Sequence, residues 1–429
     1  MAEVSQHQTS CPSYQAYLPY ATLGLGCLFY FYEFLLQISP SVMATDWARD
    51  FNVTAHDIGA LSSVYFVSYA WTQILIGLLV DRFGPHRWLT IASLLCGVSS
   101  IAFGMAGTLF TAGIARFVIG FGSAFAVIST FKLAANWFSH SRFAMITGIV
   151  VTLGMSGAIS AETFLAHAIE WFGWRHCMIF LGFAGLILAG LIFFIVRDSP
   201  NHAQKIAPTH SIAIMDGLKH VMVNGRIWLV ALYGGLMFLT TPTFCGLWGV
   251  PYLMEKYTLS KTSAGAIVAT VFLGWVVASP FMGWISDLIG RRKPPMMIGA
   301  LGALIMTCLV LYAELPVSVL PFVLFFLGVF SSGFLPAFTI AREITAPQYT
   351  ATGVGFMNMV NMLGIPIAQY VIGLTLDQIW SGQLDASGIR IYSMQNYETA
   401  MIILPLSFAG ALLLLPFIKE TYCRQITHE

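Results

Sequence analysis

Gly77-Leu-Leu-Val-Asp81-Arg82-Phe-Gly84 and Gly283-Trp-Ile-Ser-Asp287-Leu-Ile-Gly290 are one pattern, Gly-x3-Asp-x2-Gly, written twice 206 residues apart. Each copy closes a long apolar segment and opens a turn carrying basic residues, Arg87 in the first and Arg291-Arg292-Lys293 in the second. A pattern this specific, repeated at matching places in the two halves of a chain, is the mark of an internal duplication.

The surrounding composition places that duplication in a membrane. The chain is 57% hydrophobic and only 9% charged, and its mean hydropathy is +0.78; soluble domains carry about 25% charged residues. Apolar runs of roughly 20 residues cross a hydrocarbon core of about 30 Å as helices. Backbone polar groups in lipid must bond internally, which excludes open strands. Twelve spans are expected at 18–44, 56–80, 88–107, 109–136, 143–169, 173–196, 227–253, 262–286, 295–313, 316–341, 351–378 and 396–418. No Lys or Arg precedes Arg49, so the first span lacks the basic lead of a cleaved signal and is expected to remain as helix.

Charge placement suggests orientation. Of the 20 Lys and Arg, Arg116 lies inside a span, and Arg49, Arg175, Lys256, Lys261 and Arg390 would face outside. The other fourteen fall on the side of the termini, which the positive-inside rule makes cytoplasmic. The seven cysteines contain no Cys-x-x-Cys and read as small apolar residues rather than a metal or disulfide framework. The expected organisation is a tail (1–17), a six-helix bundle (18–196), a polar central loop (197–226), a second bundle (227–418) and a tail (419–429). The fold class is all-α, with twelve transmembrane helices in two pseudo-symmetric six-helix bundles.

Over essentially its whole length the chain resembles the major facilitator superfamily. The two loop motifs carry the resemblance, with Arg116-Phe-Val-Ile-Gly120-Phe-Gly122 in the fourth span. The first loop copy departs by having Pro85-His86 before Arg87, and Gly154-Met155-Ser156-Gly157 lacks the Gly-Pro of the efflux branches. Looser similarities reach organic-anion and sugar-phosphate symporters and a lysosomal dipeptide branch. The resemblance implies alternating access around a central site. It also implies a gate at the loop motifs, here Gly77, Asp81, Arg82, Gly84, Arg87, Gly283, Asp287, Gly290, Arg291 and Arg292.

An ionisable side chain inside a span is costly unless paired or wet, which makes each one a functional candidate. Glu33, Arg116 and Glu162 are such residues, all near mid-depth at 1.5 Å per residue. Arg116 is expected to pair with Glu162 or Glu33 and to take a substrate carboxylate, which its planar fork fits. A desolvated Glu suits proton coupling. A purely structural ion pair is the alternative. The second half offers Asn358, Asn361 and Tyr370, with Pro242 and Pro336 marking helix breaks; helix–helix hydrogen bonding is the competing reading for the amides. Trp248 and Trp275 read as packing or interfacial residues.

The expectation is a secondary transporter of a small organic anion or zwitterion at a plasma or inner membrane. It would take up an amino acid, dipeptide or carboxylate metabolite with H+ as candidate coupling ion. Neither an enzymatic activity nor a cofactor is expected, there being no Walker or Gly-x-Ser-x-Gly motif. Partners would be the substrate and the bilayer, not nucleic acid, and the working unit a monomer. An exporter of a siderophore or drug is the alternative within the class. A non-transporting sensor, for which an extra domain would be expected, is the alternative outside it.

Overall fold

The computed structural model describes residues 13–199, 219, 221–346, 349–385 and 388–425. Most of the expected central loop 197–226, most of the tail 1–17, the end of the tail 419–429, Cys11, Lys205 and the side chain of Asp81 lie outside the described residues.

The chain is all-helical and multi-pass. Its long helices are α1 (Ser13–Ile38), α2 (Ala55–Phe83), α3 (Pro85–Gly104), α4 (Leu109–Trp137), α5 (Met145–Phe172) and α6 (Trp174–Ile195). The second half repeats them as α7 (Gly225–Tyr257), α8 (Lys261–Ile289), α9 (Lys293–Tyr312), α10 (Leu320–Glu343), α11 (Thr350–Gln378) and α12 (Met394–Phe417). Eleven of these are long and apolar enough to cross a membrane. The remaining one, α2, has the length, and its buried polar stripe (Ser62, Ser63, Ser68, Thr72, Gln73) faces protein. On the outside, Phe110, Phe164, Trp171 and Phe322 are exposed, a surface suited to lipid rather than water.

Local chemistry sets the boundaries. Thr54 and Asp57 form a capping box that starts α2, and Ser393 with Asn396 does the same for α12. Pro40 opens a short helix, Pro40–Phe51, beyond the end of α1; it stops at Asn52, which takes the left-handed conformation (φ 51°). Gly84 (φ 84°) and Gly290 (φ 67°) make the turns after α2 and α8, and this positive φ explains the terminal glycine of both motif copies.

Each motif turn is held by an acid from the end of its own half. Asp198, after α6, accepts the His86 backbone N–H (2.7 Å). Glu420, after α12, accepts those of Arg292 (2.8 Å) and Lys293 (3.0 Å). Both carboxylates therefore sit at helix N-termini, where backbone N–H groups lack helical partners and favour anions.

The halves meet through α2 against α11 and α5 against α8. Gly59 and Gly265, separated by the same 206 residues as the motif aspartates, permit the two crossings. A Cβ at Gly59 would lie 2.5 Å from the Gln369 carbonyl oxygen, and one at Gly265 would lie 2.1 Å from that of Glu162. Both contacts lie toward the face opposite the termini, called the distal face below.

Candidate functional site

At mid-depth between the halves is a small cavity of about 20 Å³, lined from α1 (Phe34, Gln37, Ile38), α5 (Met155), α7 (Phe238, Thr241, Pro242) and α8 (Phe272, Trp275). Its aromatic wall is continued by Phe334 of α10, whose ring centroid lies 5.1 Å from Trp275 and 5.2 Å from Phe238. Trp275 is buried there, with its indole N–H unpartnered, rather than in an interfacial belt. Trp248 is also buried and donates to the Gln369 carbonyl at 3.3 Å.

Backbone irregularities surround this cavity. α7 contains a π-helical turn, Phe244–Trp248, just after Pro242, and α10 a 3-10 turn, Ser332–Phe334, just before Pro336. A further π-helical turn in α5, Ala161–Leu165, carries Glu162. The π-helical turns widen the helix by one residue and the 3-10 turn tightens it, and both kinds often mark functional segments. The Pro242 carbonyl is taken by Gln369 Nε2 at 3.3 Å.

The three charges expected at mid-depth do not pair as expected. Arg116 is fully buried, and its Nη1 donates to the Leu36 carbonyl at 3.0 Å. Its guanidinium lies 5.0 Å from the centre of the Tyr65 ring, and Nε and Nη2 have no hydrogen-bond partner among the described residues. The reason is steric: Tyr65 of α2 stands between the cation and Glu33. Its ring receives Arg116 while its hydroxyl donates to Glu33 Oε1 at 2.8 Å. A desolvated cation on an aromatic face gains about 2 kcal/mol or more, which partly replaces the missing anion.

Glu162 belongs to a different cluster. Ser41 Oγ donates to its Oε1 at 2.8 Å, Oε2 is buried without a partner, and its backbone touches α8 at Gly265. It lies where α1, α5 and α8 close together, on the distal side of the cavity.

The second-half candidates scatter. Asn361 is buried against α7, its amide unpartnered and its Oδ1 2.8 Å from where a Cβ on Gly234 would be. Asn358, one turn away, is half-buried. Tyr370 is 40% exposed and meets the His56 ring edge-on at 4.7 Å, placing it at the distal contact rather than at mid-depth.

Polar bonds that join the halves on the distal side were not foreseen. Lys261, opening α8, donates to Asp46 at 2.5 Å. Asp377, closing α11, accepts the His56 N–H that opens α2 at 2.9 Å. Arg390 (3.0 Å) and Tyr392 (2.5 Å) hold that carboxylate, and Tyr392 in turn accepts the Ala55 N–H at 3.1 Å. Ser63 adds a bond to the Pro366 carbonyl at 2.9 Å. In sequence, Asp46, Lys261 and Asp377 look like ordinary charged residues at span ends.

At the motif loops, Gly77, Arg82 and Arg87 are exposed, with Arg82 over the Phe83 ring. Gly283 has open space around it, and Arg291 is exposed over the Tyr422 ring. Arg292 differs from its exposed neighbour Arg291 in this basic run. It is buried and bridges Asp287 (2.5 Å) to Glu343 (2.7 Å), while Glu343 also accepts from Thr421. Burial alone would lower the Arg292 guanidinium, but its hydrogen bonds to Glu343 and Asp287 outweigh this and raise it above the ordinary value.

Two related halves of lipid-facing helices, closed on one face around a mid-depth cavity, define a secondary-active small-molecule transporter. The chain belongs to the Major Facilitator Superfamily, whose profile matches residues 23–250 and 236–422. It is 28% identical over 184 residues to a "Probable sulfoacetate transporter" of Cupriavidus necator, 43% of either chain. It is 23% identical to the "Membrane sensor protein UhpC" of Escherichia coli, over 94% of this chain and 92% of that one. Its fold matches that of a bacterial homolog of the human lysosomal transporter Spinster in an inward-facing conformation (TM-score 0.75, 15% identity, 96% and 97% coverage). It also matches a D-xylose-proton symporter (TM-score 0.75, 16% identity, 95% and 99% coverage).

Proposed function

We propose that the protein is a proton-coupled importer of a small organic anion or zwitterion in a bacterial inner membrane. The termini and motif loops lie on the cytoplasmic side, and two six-helix bundles (18–196 and 227–418) rock about the mid-depth site. The observation that carries the reading is Arg116, a buried cation with no carboxylate partner and two nitrogens free to bind one. An unpaired charge at this depth costs several kcal/mol, a cost that substrate binding offsets. The relative named for sulfoacetate, a carboxylate, supports an organic anion.

Two carboxylates share the coupling work. Glu33 reaches Arg116 through Tyr65, so a substrate carboxylate on Arg116 perturbs the proton on Glu33. Glu162 sits in the distal contact, where a charge can be accommodated only once water enters. Distal opening would expose it for proton exchange. Asp81 and Asp287 latch the cytoplasmic side in the opposite state.

The test is a thermal-shift screen of detergent-purified protein against carboxylates, amino acids, dipeptides and sugar phosphates, with Arg116→Ala alongside. A ligand at 100 times its Kd stabilises by about 2.7 kcal/mol. The reading expects a carboxylate hit that disappears in the variant; hits restricted to neutral or cationic compounds would overturn it. The match to a membrane sensor along nearly the whole chain keeps a signalling role as the second reading. That role predicts ligand binding without flux.

A further inference from the structure

Beside the Asp377 latch the distal face holds a second cavity, of about 440 Å³, within the size range of small-molecule sites. Its walls come from both halves: Arg49 of the short helix and Ile58 of α2 on one side, Trp248 and Glu255 of α7 and Tyr397 of α12 on the other. Tyr397 is only 8% exposed, and its ring is fixed between those of Tyr252 (6.0 Å) and Tyr392 (6.4 Å). It lines the cavity, and its hydroxyl has no hydrogen-bond partner among the described residues.

The charges around the cavity divide into used and unused. Arg390 is committed to Asp377 and to the face of Trp380, and Asp385 accepts the Ile389 N–H within its own turn. Among the described residues Arg49 and Glu255 have no ion pair, and they line the cavity from different halves, one cation and one anion. Glu255 and Tyr397 both line the cavity from the second half, a carboxylate and a hydroxyl able to accept hydrogen bonds.

We propose that this cavity binds a zwitterion with an apolar body, its carboxylate on Arg49, its ammonium on Glu255 and the Tyr397 hydroxyl, and its body against Trp248 and Ile58. The ligand is distinct from the cargo at mid-depth. Parting the halves on the distal side separates the walls, so the ligand binds only the closed form and holds the molecule there. That consequence rests on the alternating-access reading above; the binding does not.

The test titrates the full-length protein by calorimetry with L-phenylalanine, phenylacetate and phenethylamine. L-Phenylalanine is expected to bind at least about tenfold tighter than either single-charge probe, each of which forgoes a charged contact. Arg49→Gln and Glu255→Gln, both at exposed positions, should each remove that advantage, and Tyr397→Phe should weaken binding severalfold. Arg116→Lys should leave it intact. Equal affinity for the three probes, or no binding to the wild type, overturns the proposal. So does binding that survives Arg49→Gln and Glu255→Gln but disappears with Arg116→Lys. Flux is measured separately, so failure of this site and failure of the transport reading give different results.

Discussion

Replacing Asp377 with Ala should tip the molecule toward its distal-open form. The carboxylate is the centre of the latch: it takes the His56 N–H from the other half and holds Tyr392, which takes the Ala55 N–H. Its side chain is only 14% exposed, so water replaces little of what is lost. Hydrogen bonds to a charged acceptor contribute about 1.5–3 kcal/mol. Taking ~2 kcal/mol for the charged bond and its dependent neighbour, the equilibrium shifts roughly 30-fold, since 1.4 kcal/mol is tenfold. Asp377→Asn keeps an acceptor oxygen without the charge and should shift it by a smaller factor. Spin labels at Thr108→Cys and Thr258→Cys, both exposed on the distal face, report the two populations as two distances. Cys308 and Cys423, the two only partly buried among the described cysteines, are first changed to Ser. A distance distribution for Asp377→Ala that overlays the wild type would refute the latch.

Three further outcomes follow from packing and pairing. Arg292→Ala leaves Glu343 buried without its cation and should cost about 3–5 kcal/mol, seen as a lower Tm. Arg291→Ala, at an exposed site, should change Tm little; equal effects would contradict the network. Gly265→Leu puts side-chain atoms against the Glu162 carbonyl and should abolish distal closure and transport, whereas Gly283→Ala, with open space around it, should be silent in both. Arg116→Lys should lose most transport while the protein still folds, because an ammonium cannot supply the bidentate fork; uptake at the wild-type rate would remove Arg116 from the site.

Much of the architecture was legible because two strong signals agree. Apolar runs fix where helices cross, and the Gly-x3-Asp-x2-Gly pair fixes how the halves correspond. The same 206-residue offset reappears in Gly59 and Gly265, which permit equivalent crossings. The candidate site was legible in depth but not in direction. Counting residues along a helix puts Glu33, Arg116 and Glu162 at similar heights but says nothing of rotation about the axis. Tyr65 therefore came between Arg116 and Glu33 unannounced, and Glu162 turned to Ser41. The distal latch was hidden for another reason. Charged residues at span ends are the normal background of a membrane protein, and only the fold brings Asp377 to α2 or Asp46 to α8. Arg292 was indistinguishable from Arg291 and Lys293 because its buried partner Glu343, and the Thr421 hydroxyl that also bonds Glu343, come from distant parts of the chain.

The most direct test is flux. Purified protein in liposomes is supplied with the carboxylate found by the thermal-shift screen, with an inward proton gradient and no other energy source. The account predicts accumulation of that substrate above its outside concentration, collapse on adding a protonophore, and loss of gradient dependence in Glu33→Gln. Binding of the substrate with no flux under any gradient would contradict it and leave the sensor reading in its place.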